Sequence, residues 1–510
     1  MTSTPAAPAS SWARRRPQIE QHGIDYIPTE ERHSRPRNLG IILFGGSLTF
    51  SLIIIGWYPV AFGLGWWQAA TAVIAGSMAG GAVLAPMGLM GARSGTNNPV
   101  ASGAFFGVAG RLIGSMLEAT ASLAFAALSI WTGGDALAGA LARYFNMNDA
   151  NIPRLIAYAV LSVLVTVVSI LGHNMMVAAQ RFMIPTAGLC MLVGLGVYGR
   201  LFDANYPGTH HLVFGSVAAT WVASALVCCS TVASYGAYAG DWTRHISTKL
   251  HTNGSIVRAM FLGGAFGMGG PFMWGTFTAC AVFASHNANA DTPYVLGLVT
   301  AAPTWYIPAL IYLGLASGTA QAVINTYGTG LDTSAIIPKL NRVQATFVAC
   351  ALATLLVYLG YFYSALADGI GVYLALLGSF SIPWIVIMVI GHVRRKAFYD
   401  VEDLQVFNRG LKGGIYWFWH GMNLRALIVW AASAAAGLAC SSNSWYVGPG
   451  AEALGGVDVS FVVAGVTAGV LYPIALRTFP EPTNVMGSSE TLAPSPDPPG
   501  ETSRDRLEAR

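Results

Sequence analysis

Charge is what this sequence has least of. Asp, Glu, Lys and Arg make up 10% of its 510 residues, hydrophobic residues make up 54%, and the mean hydropathy is +0.54. A chain this depleted cannot clothe a soluble domain in polar side chains. Its net charge of +4 also offers no basic surface for nucleic acid. Cysteine is scarce too. Cys190, Cys228, Cys229, Cys280, Cys350 and Cys440 lie inside apolar runs without CxxC spacing, which excludes a disulfide framework or a cysteine metal cluster and leaves thiols that act as small apolar groups. Residues 1–23 carry Arg14, Arg15 and Arg16 with no apolar stretch behind them, so they form a solvated tail, not a secretory signal. Groups for catalysis are missing as well. At depth the ionisable residues reduce to Glu118 and Asp135, with Asp332 just beyond an apolar run. The histidines fall in loops or at run ends, and neither HExxH nor GxSxG stands in a suitable context. The chain reads as a membrane protein that is not an enzyme and carries no cofactor.

Long apolar runs are what it has instead. Runs of the length that crosses a bilayer predict twelve spans at 39–62, 66–90, 110–142, 152–171, 175–198, 212–238, 256–284, 294–324, 344–365, 370–392, 423–440 and 457–476. The expected division is an N-terminal tail (1–36), a ten-helix core (37–392), a linker (393–419), two further helices (420–477) and a disordered tail (478–510), whose Pro, Ser, Glu and Arg cannot bury enough apolar area to fold. Charge tests the count. Of 27 Lys and Arg, only Arg143, Arg154 and Arg200 fall near one set of span ends. The others gather on the side shared by both termini, which the positive-inside rule makes cytoplasmic. The protein is therefore expected to be multi-pass in the cell membrane, with the lipid bilayer as its first partner.

Span 6 begins as a membrane helix and then stops behaving like one. After Ala233 come Ser234, Tyr235, Gly236, Tyr238 and Gly240, and a loosened backbone survives at that depth only where it lines an enclosed cavity. Close helix packing at the two glycines is the alternative. Five spans earlier, Phe44-Gly45-Gly46-Ser47 interrupts span 1. Paired interruptions in two five-span halves point to an inverted-repeat transporter with its site at mid-membrane. A flat polar ring in such a site wants aromatic faces and a few amide or hydroxyl groups. Span 3 offers Phe125 and Ser129 at i, i+4; span 6 offers Tyr235; span 8 offers Gln321 and Asn325, again i, i+4. Packing competes as a role for Phe125, and interhelix hydrogen bonding for Asn325. Thr319, in the same helix, is a hard oxygen for a small cation, or bonds its own i−4 carbonyl.

Five landmarks now stand in order: GIDYIPTEER before span 1, LGWWQA entering span 2, GARSGTNNPVASGAFFGVAGR, SYGAYAGDWTRHIS and NTYGTGLDTSAIIP. Over residues 23–476 the chain resembles the purine–cytosine permease branch of the nucleobase–cation symporter family. The resemblance implies an all-α fold of twelve transmembrane helices, a five-plus-five inverted repeat with broken helices 1 and 6, and two C-terminal helices. It implies alternating access with Na⁺ or H⁺ as coupling cation, and a nucleobase or related heterocycle as the imported solute. By position it places Phe125 and Tyr235 as the rings that sandwich the solute, and Ser129, Gln321, Asn325, Ser47 and Gly236 as contacts around it. For a cation it places the Leu43, Gly46 and Ala316 carbonyls and Thr319. Asp241 and Arg244, at i, i+3 in DWTRH, match its signature at the inner end of helix 6 and are expected to serve the inner gate. Gly378 to Pro383 is expected to let span 10 flex. The chain departs from the pattern at Ala320, where sodium-coupled relatives carry a second hydroxyl, at Gly103 for arginine, and at Ala237 for proline. H⁺ therefore stands level with Na⁺. A transporter of a different heterocycle (allantoin, a hydantoin or a vitamin) and a receptor that binds without transporting fit the same motifs.

Overall fold

Residues 36–61 fold as two helices, not one. α1 (Pro36–Ser47) and α2 (Phe50–Ala61) meet at 69°. Between them Leu48 leaves the helical region and Thr49 is extended, its hydroxyl accepting from the Ser51 N–H at 3.2 Å. The break is thus an ordinary helix start placed in mid-span, with a threonine N-cap taking up a backbone donor that lipid cannot. In this computed structural model the described residues are 24–147, 149–209, 211–285, 294–337 and 339–487.

The chain continues as α3 (Trp66–Ser94), α4 (Asn98–Phe106), α5 (Leu112–Tyr144), α6 (Asn151–Leu171), α7 (His173–Gly199), α8 (Val217–Ser234) and α9 (Ala239–Thr243). After α10 (Asn253–Ala284) and α11 (Tyr294–Ala301) come α12 (Ile307–Ile336), α13 (Arg342–Phe362), α14 (Ser364–Arg394), α15 (Leu424–Leu438) and α16 (Ser460–Thr478). The second break lies between α8 and α9. There Gly236 and Ala237 bond to carbonyls three residues back, Ala233 at 2.9 Å and Ser234 at 3.4 Å.

The packing repeats with the same five-span offset as the breaks. α8 packs on α3 while α2 packs on α10, so span 6 lies on span 2 as span 1 lies on span 7. α5 neighbours α6 and α13, and α12 correspondingly neighbours α13 and α6. A repeat of five spans, being odd, enters the bilayer from opposite sides in its two copies. The fold is therefore an inverted repeat.

Glycine decides how closely these pairs approach. A Cβ built on Gly133 of α5 would lie 2.4 Å from the Gly318 Cα of α12, and one on Gly275 of α10 would lie 2.1 Å from the Ile53 carbonyl oxygen of α2. These helices touch backbone to backbone, as small residues permit in membranes.

Several expectations need correction. Residues 294–324 are not one span: Pro303 separates α11 from a 3-10 turn at Thr304–Tyr306, and α12 then runs to Ile336. Asp332 consequently lies inside a helix and is buried, not beyond its end. α14 stays helical through Gly378 and Pro383. Among the described residues ten helices are long and apolar enough to cross a membrane and the bent α1–α2 pair makes eleven, while α15 has 15 residues. At 1.5 Å per residue it spans about 22 Å, short of the ~30 Å of hydrocarbon. The tails are shorter than expected too. Ile24, Ile27 and Arg32 are buried, the Ile27 N–H bonding to the Gly95 carbonyl, and Glu481 is buried beyond α16. Residues 1–23 and 488–510 lie outside the described residues.

Candidate solute and cation sites

The close contact of α5 with α12 sets two helix faces opposite each other, next to both breaks. On α5 the face carries Glu118, Ser122, Phe125 and Ser129 at helical spacing; on α12 it carries Gln321, Asn325, Gly328 and Asp332. Gln321 and Asn325 are 1% exposed and Tyr235 is 2% exposed. The Gln321 amide nitrogen donates to the Tyr235 hydroxyl and, at 3.3 Å, to the Asn325 Oδ1. This chain orients both amides and leaves Gln321 Oε1 and Asn325 Nδ2 buried without partners. An orphaned buried acceptor and donor each cost about 1–3 kcal/mol. Set one turn apart, they complement a lactam edge, with its N–H beside its C=O.

The break in helix 1 completes the wall. Ser129 Oγ lies 3.0 Å from Ser51 Oγ, which lies 2.7 Å from Thr49 Oγ1, and Ser129 also donates to the Phe125 carbonyl at 2.7 Å. Phe125 itself is half-buried. Helix 1 reaches helix 8 at Gly46, where a Cβ would stand 2.2 Å from Ile324 Cδ1 and 3.4 Å from Gln321 Oε1. Two residues named from the sequence are committed elsewhere. Ser47 donates back to the Leu43 carbonyl at 2.5 Å, and the Gly236 carbonyl accepts from Asn98 Nδ2 at 2.8 Å. The carbonyl freed by the helix 6 break is thus satisfied by protein. A groove of about 510 Å³ between α1 and α10, with Arg37 and Arg258 in its lining, includes none of these residues.

Two of the four oxygens expected to hold a cation are likewise engaged. Leu43 receives Ser47, and Thr319 donates to the Leu315 carbonyl at 2.8 Å. Ala316 is buried on the same helix as Thr319, and Gly46 is pressed on Ile324. Between helices 1 and 8 stands Gln180 of α7, fully buried. Its Nε2 donates to the Ala320 carbonyl at 3.0 Å, and its Oε1 would be 2.8 Å from a Cβ on Gly45. It bonds α12 and packs on α1 where a small cation is expected to join the two, its Oε1 left without a hydrogen-bond partner.

At the C-terminal end of span 6, Asp241 and Arg244 are both buried, at 1% and 0% exposure, so they are not a surface pair. Arg244 donates to the Tyr327 hydroxyl of α12 at 3.2 Å. Gly240 lets α9 seat against α4, its Cβ position being 2.2 Å from the Asn98 backbone nitrogen.

A family model described as permease for cytosine/purines, uracil, thiamine, allantoin matches residues 26–464. The chain belongs to this permease family. It is 24% identical over 503 residues to the protein named "Putative purine-cytosine permease YxlA" of Bacillus subtilis (strain 168), covering 90% of this chain and 96% of the relative. Among solved structures, it resembles the nucleobase-cation-symport-1 family transporter Mhp1 in a closed conformation with bromovinylhydantoin bound, with a TM-score of 0.68 at 18% identity over 91% of this chain and 97% of that one. Mhp1 in its inward-facing conformation gives 0.66 at 18% identity, over 94% and 100%. At these identities the likeness to Mhp1 shows the fold.

Several residues of this permease's site escaped the sequence reading. Thr49 and Ser51 follow the glycine pair of span 1 and precede an apolar run, a helix-start signal that places them at the break. Gln180 carried the same signal as Gln321, a neutral amide inside a membrane span that requires a partner. Asn97 and Asn98 carried none. Their side chains are used 235 and 138 residues away, on Asp332 and Gly236.

Proposed function

We propose that this permease is a secondary-active importer of a nucleobase or closely related nitrogen heterocycle, coupled to a cation and working by alternating access. The observation that carries the reading is the orphaned pair Gln321 Oε1 and Asn325 Nδ2, buried beside Tyr235 between the two breaks. A lactam edge supplies the missing donor and acceptor together. The ring faces have Tyr235 and Phe125 to stack on, with Ser129 beside them on α5, while Ser47 and Gly236 flank the site at the two breaks with their polar atoms bonded within the protein. The family description supports the class of solute, since cytosine, uracil, oxidised purines and allantoin all carry such an edge. The hydantoin in Mhp1 carries one as well, which keeps a non-nucleobase heterocycle as the second reading. The oxygens of Leu43, Gly46, Ala316 and Thr319 are the place for Na⁺ if Na⁺ is the coupling ion. The distribution of Lys and Arg supports cytoplasmic termini in the cell membrane, and Asp241 with Arg244 serves as the inner gate.

A thermal-shift screen of the purified protein tests this reading. Nucleobases, hydantoin and allantoin are each added with and without Na⁺, alongside the same rings N-methylated at the lactam edge, because a ligand selective for the folded state raises its apparent stability. At least one unmethylated ring is expected to raise the melting temperature and its methylated form is not. Equal shifts from both forms would place the solute elsewhere. Counterflow in proteoliposomes then separates a transporter, which exchanges solute, from a receptor, which only binds it.

A further inference from the structure

Three buried carboxyl groups from three elements lie toward the cytoplasmic end of the solute site, two of them bordering one space. Glu118 of α5, Asp241 of α9 and Asp332 of α12 are each no more than 1% exposed. A methyl built on Gly328 of α12 would lie 3.0 Å from Asp241 Oδ2, 3.5 Å from Ser122 Oγ and 3.8 Å from Glu118 Oε1, so these groups border one small space. Glu118 lies within hydrogen-bond reach of Asp241. Both Glu118 oxygens are buried without a donor, and the Ser122 hydroxyl that borders the same space is within hydrogen-bond reach of Tyr238. Asp332 accepts from Asn97 at 3.2 Å.

The surrounding groups do not supply the missing donor to Glu118. Arg111 acts electrostatically on Asp332 and donates to Asn408 and to the Ala335 carbonyl. Arg244 donates to Tyr327, and Arg342 of α13 stacks on that ring while donating to the Ser169 and Ile170 carbonyls. Tyr238 beside the break and Tyr373 of α14, which bonds Thr120, are the neighbouring phenols. Two carboxylates in contact inside a membrane, one of them without any donor, are tenable only if a proton lies between them. A metal ion is the poorer occupant, because no three acidic, histidine or cysteine side chains among the described residues converge as ligands.

We propose that Glu118 and Asp241 hold one proton between them, with Asp332 as the adjacent charge, and that this proton is the coupling ion. The proposal rests on the transport reading above. Asn325 and Asp332 lie seven residues apart on one face of α12, about 10 Å at 1.5 Å per residue, so solute and proton occupy the same seam. While α9 is seated, the pair is sealed and holds its proton. When α9 swings out, Asp241 leaves Glu118, both carboxylates meet water, and the proton departs to the cytoplasm. One proton thus enters from outside and leaves inside with each solute.

Two measurements test this, one of them independent of any solute. Infrared titration of the purified full chain should show a carboxylic-acid C=O band at neutral pH that Glu118→Gln and Asp241→Asn each remove. In proteoliposomes, uptake of the ring found by the stability screen should rise several-fold with an inside-alkaline pH gradient, stay indifferent to a Na⁺ gradient, and lose its response to the pH gradient in Glu118→Gln. A band unchanged in both variants, or wild-type uptake driven by Na⁺ and not by pH, overturns the proposal. If no ring is taken up, the transport reading fails while the infrared result still decides whether the proton site exists. Should Glu118→Gln fail to fold, Gly328→Ala, which crowds the same space, is expected to weaken the band.

Discussion

Asn325 and Gln321 are distinguished from the other buried amides by what they leave over together. Asn98 and Gln180 each leave only an oxygen without a partner, whereas Gln321 and Asn325 leave an acceptor and a donor one helical turn apart on α12. Asn325→Ala removes the donor to the solute and leaves Gln321 Nε2 with Tyr235 alone. A lost hydrogen bond of about 1–3 kcal/mol predicts a Kd weaker by about 5- to 150-fold, measurable by titration of the stabilising ring; an unchanged Kd would move the site. Gln180 makes a second residue-scale test. Gln180→Leu strips the Ala320 carbonyl of its donor, so a loss of about 1–3 kcal/mol in stability is expected, seen as a lower melting temperature in the absence of any solute. Unaltered melting would show that helices 1 and 8 do not depend on the amide.

Elements meet here where glycine removes a side chain. α5 and α12 form a seam of direct backbone contact at Gly133, Gly314 and Gly318. Gly133→Val would force them apart by more than a core tolerates, with an expected cost of about 1–3 kcal/mol or more, visible as poor yield of folded protein. α9 is different. It has five residues, is joined to α8 by a turn, and seats on α4 through Gly240. Gly240→Ala meets backbone rather than a flexible side-chain end, so this seat cannot close. The expected outcome is solute binding with little uptake, read by comparing equilibrium binding with proteoliposome transport. Wild-type uptake in that variant would show that α9 need not seat on α4.

Across the whole molecule, the two helices beyond the repeat pack on α14, and a buried ion pair fastens the segments that flank them. Arg395, following α14, bonds Glu481 at 2.6 and 3.2 Å with both side chains fully buried, donates to the Ala104 carbonyl, and stacks on Phe105. Asn423, ahead of α15, donates to Glu481 and to Phe105. Glu481→Ala leaves a guanidinium buried without its counter-charge, a loss of about 3–5 kcal/mol, measured as thermal stability of the full chain. This anchor holds α4, the element on which α9 seats, against the linker.

The sequence by itself determined the solvent, most of the spans and the places where helices 1 and 6 break, because hydropathy, glycine and capping residues act within a few positions of themselves. It also set Gln321, Asn325, Phe125 and Ser129 on their faces, since helical spacing is local. Only the tertiary structure decided which polar groups remain free. Asn98 reaches 138 residues to take the Gly236 carbonyl, Gln180 reaches 140 to hold Ala320, and a longer α12 draws Asp332 into the interior beside Asp241. A buried donor or acceptor must be matched somewhere, but nothing in its own neighbourhood of sequence says with what. That matching is settled by which helices come to lie side by side.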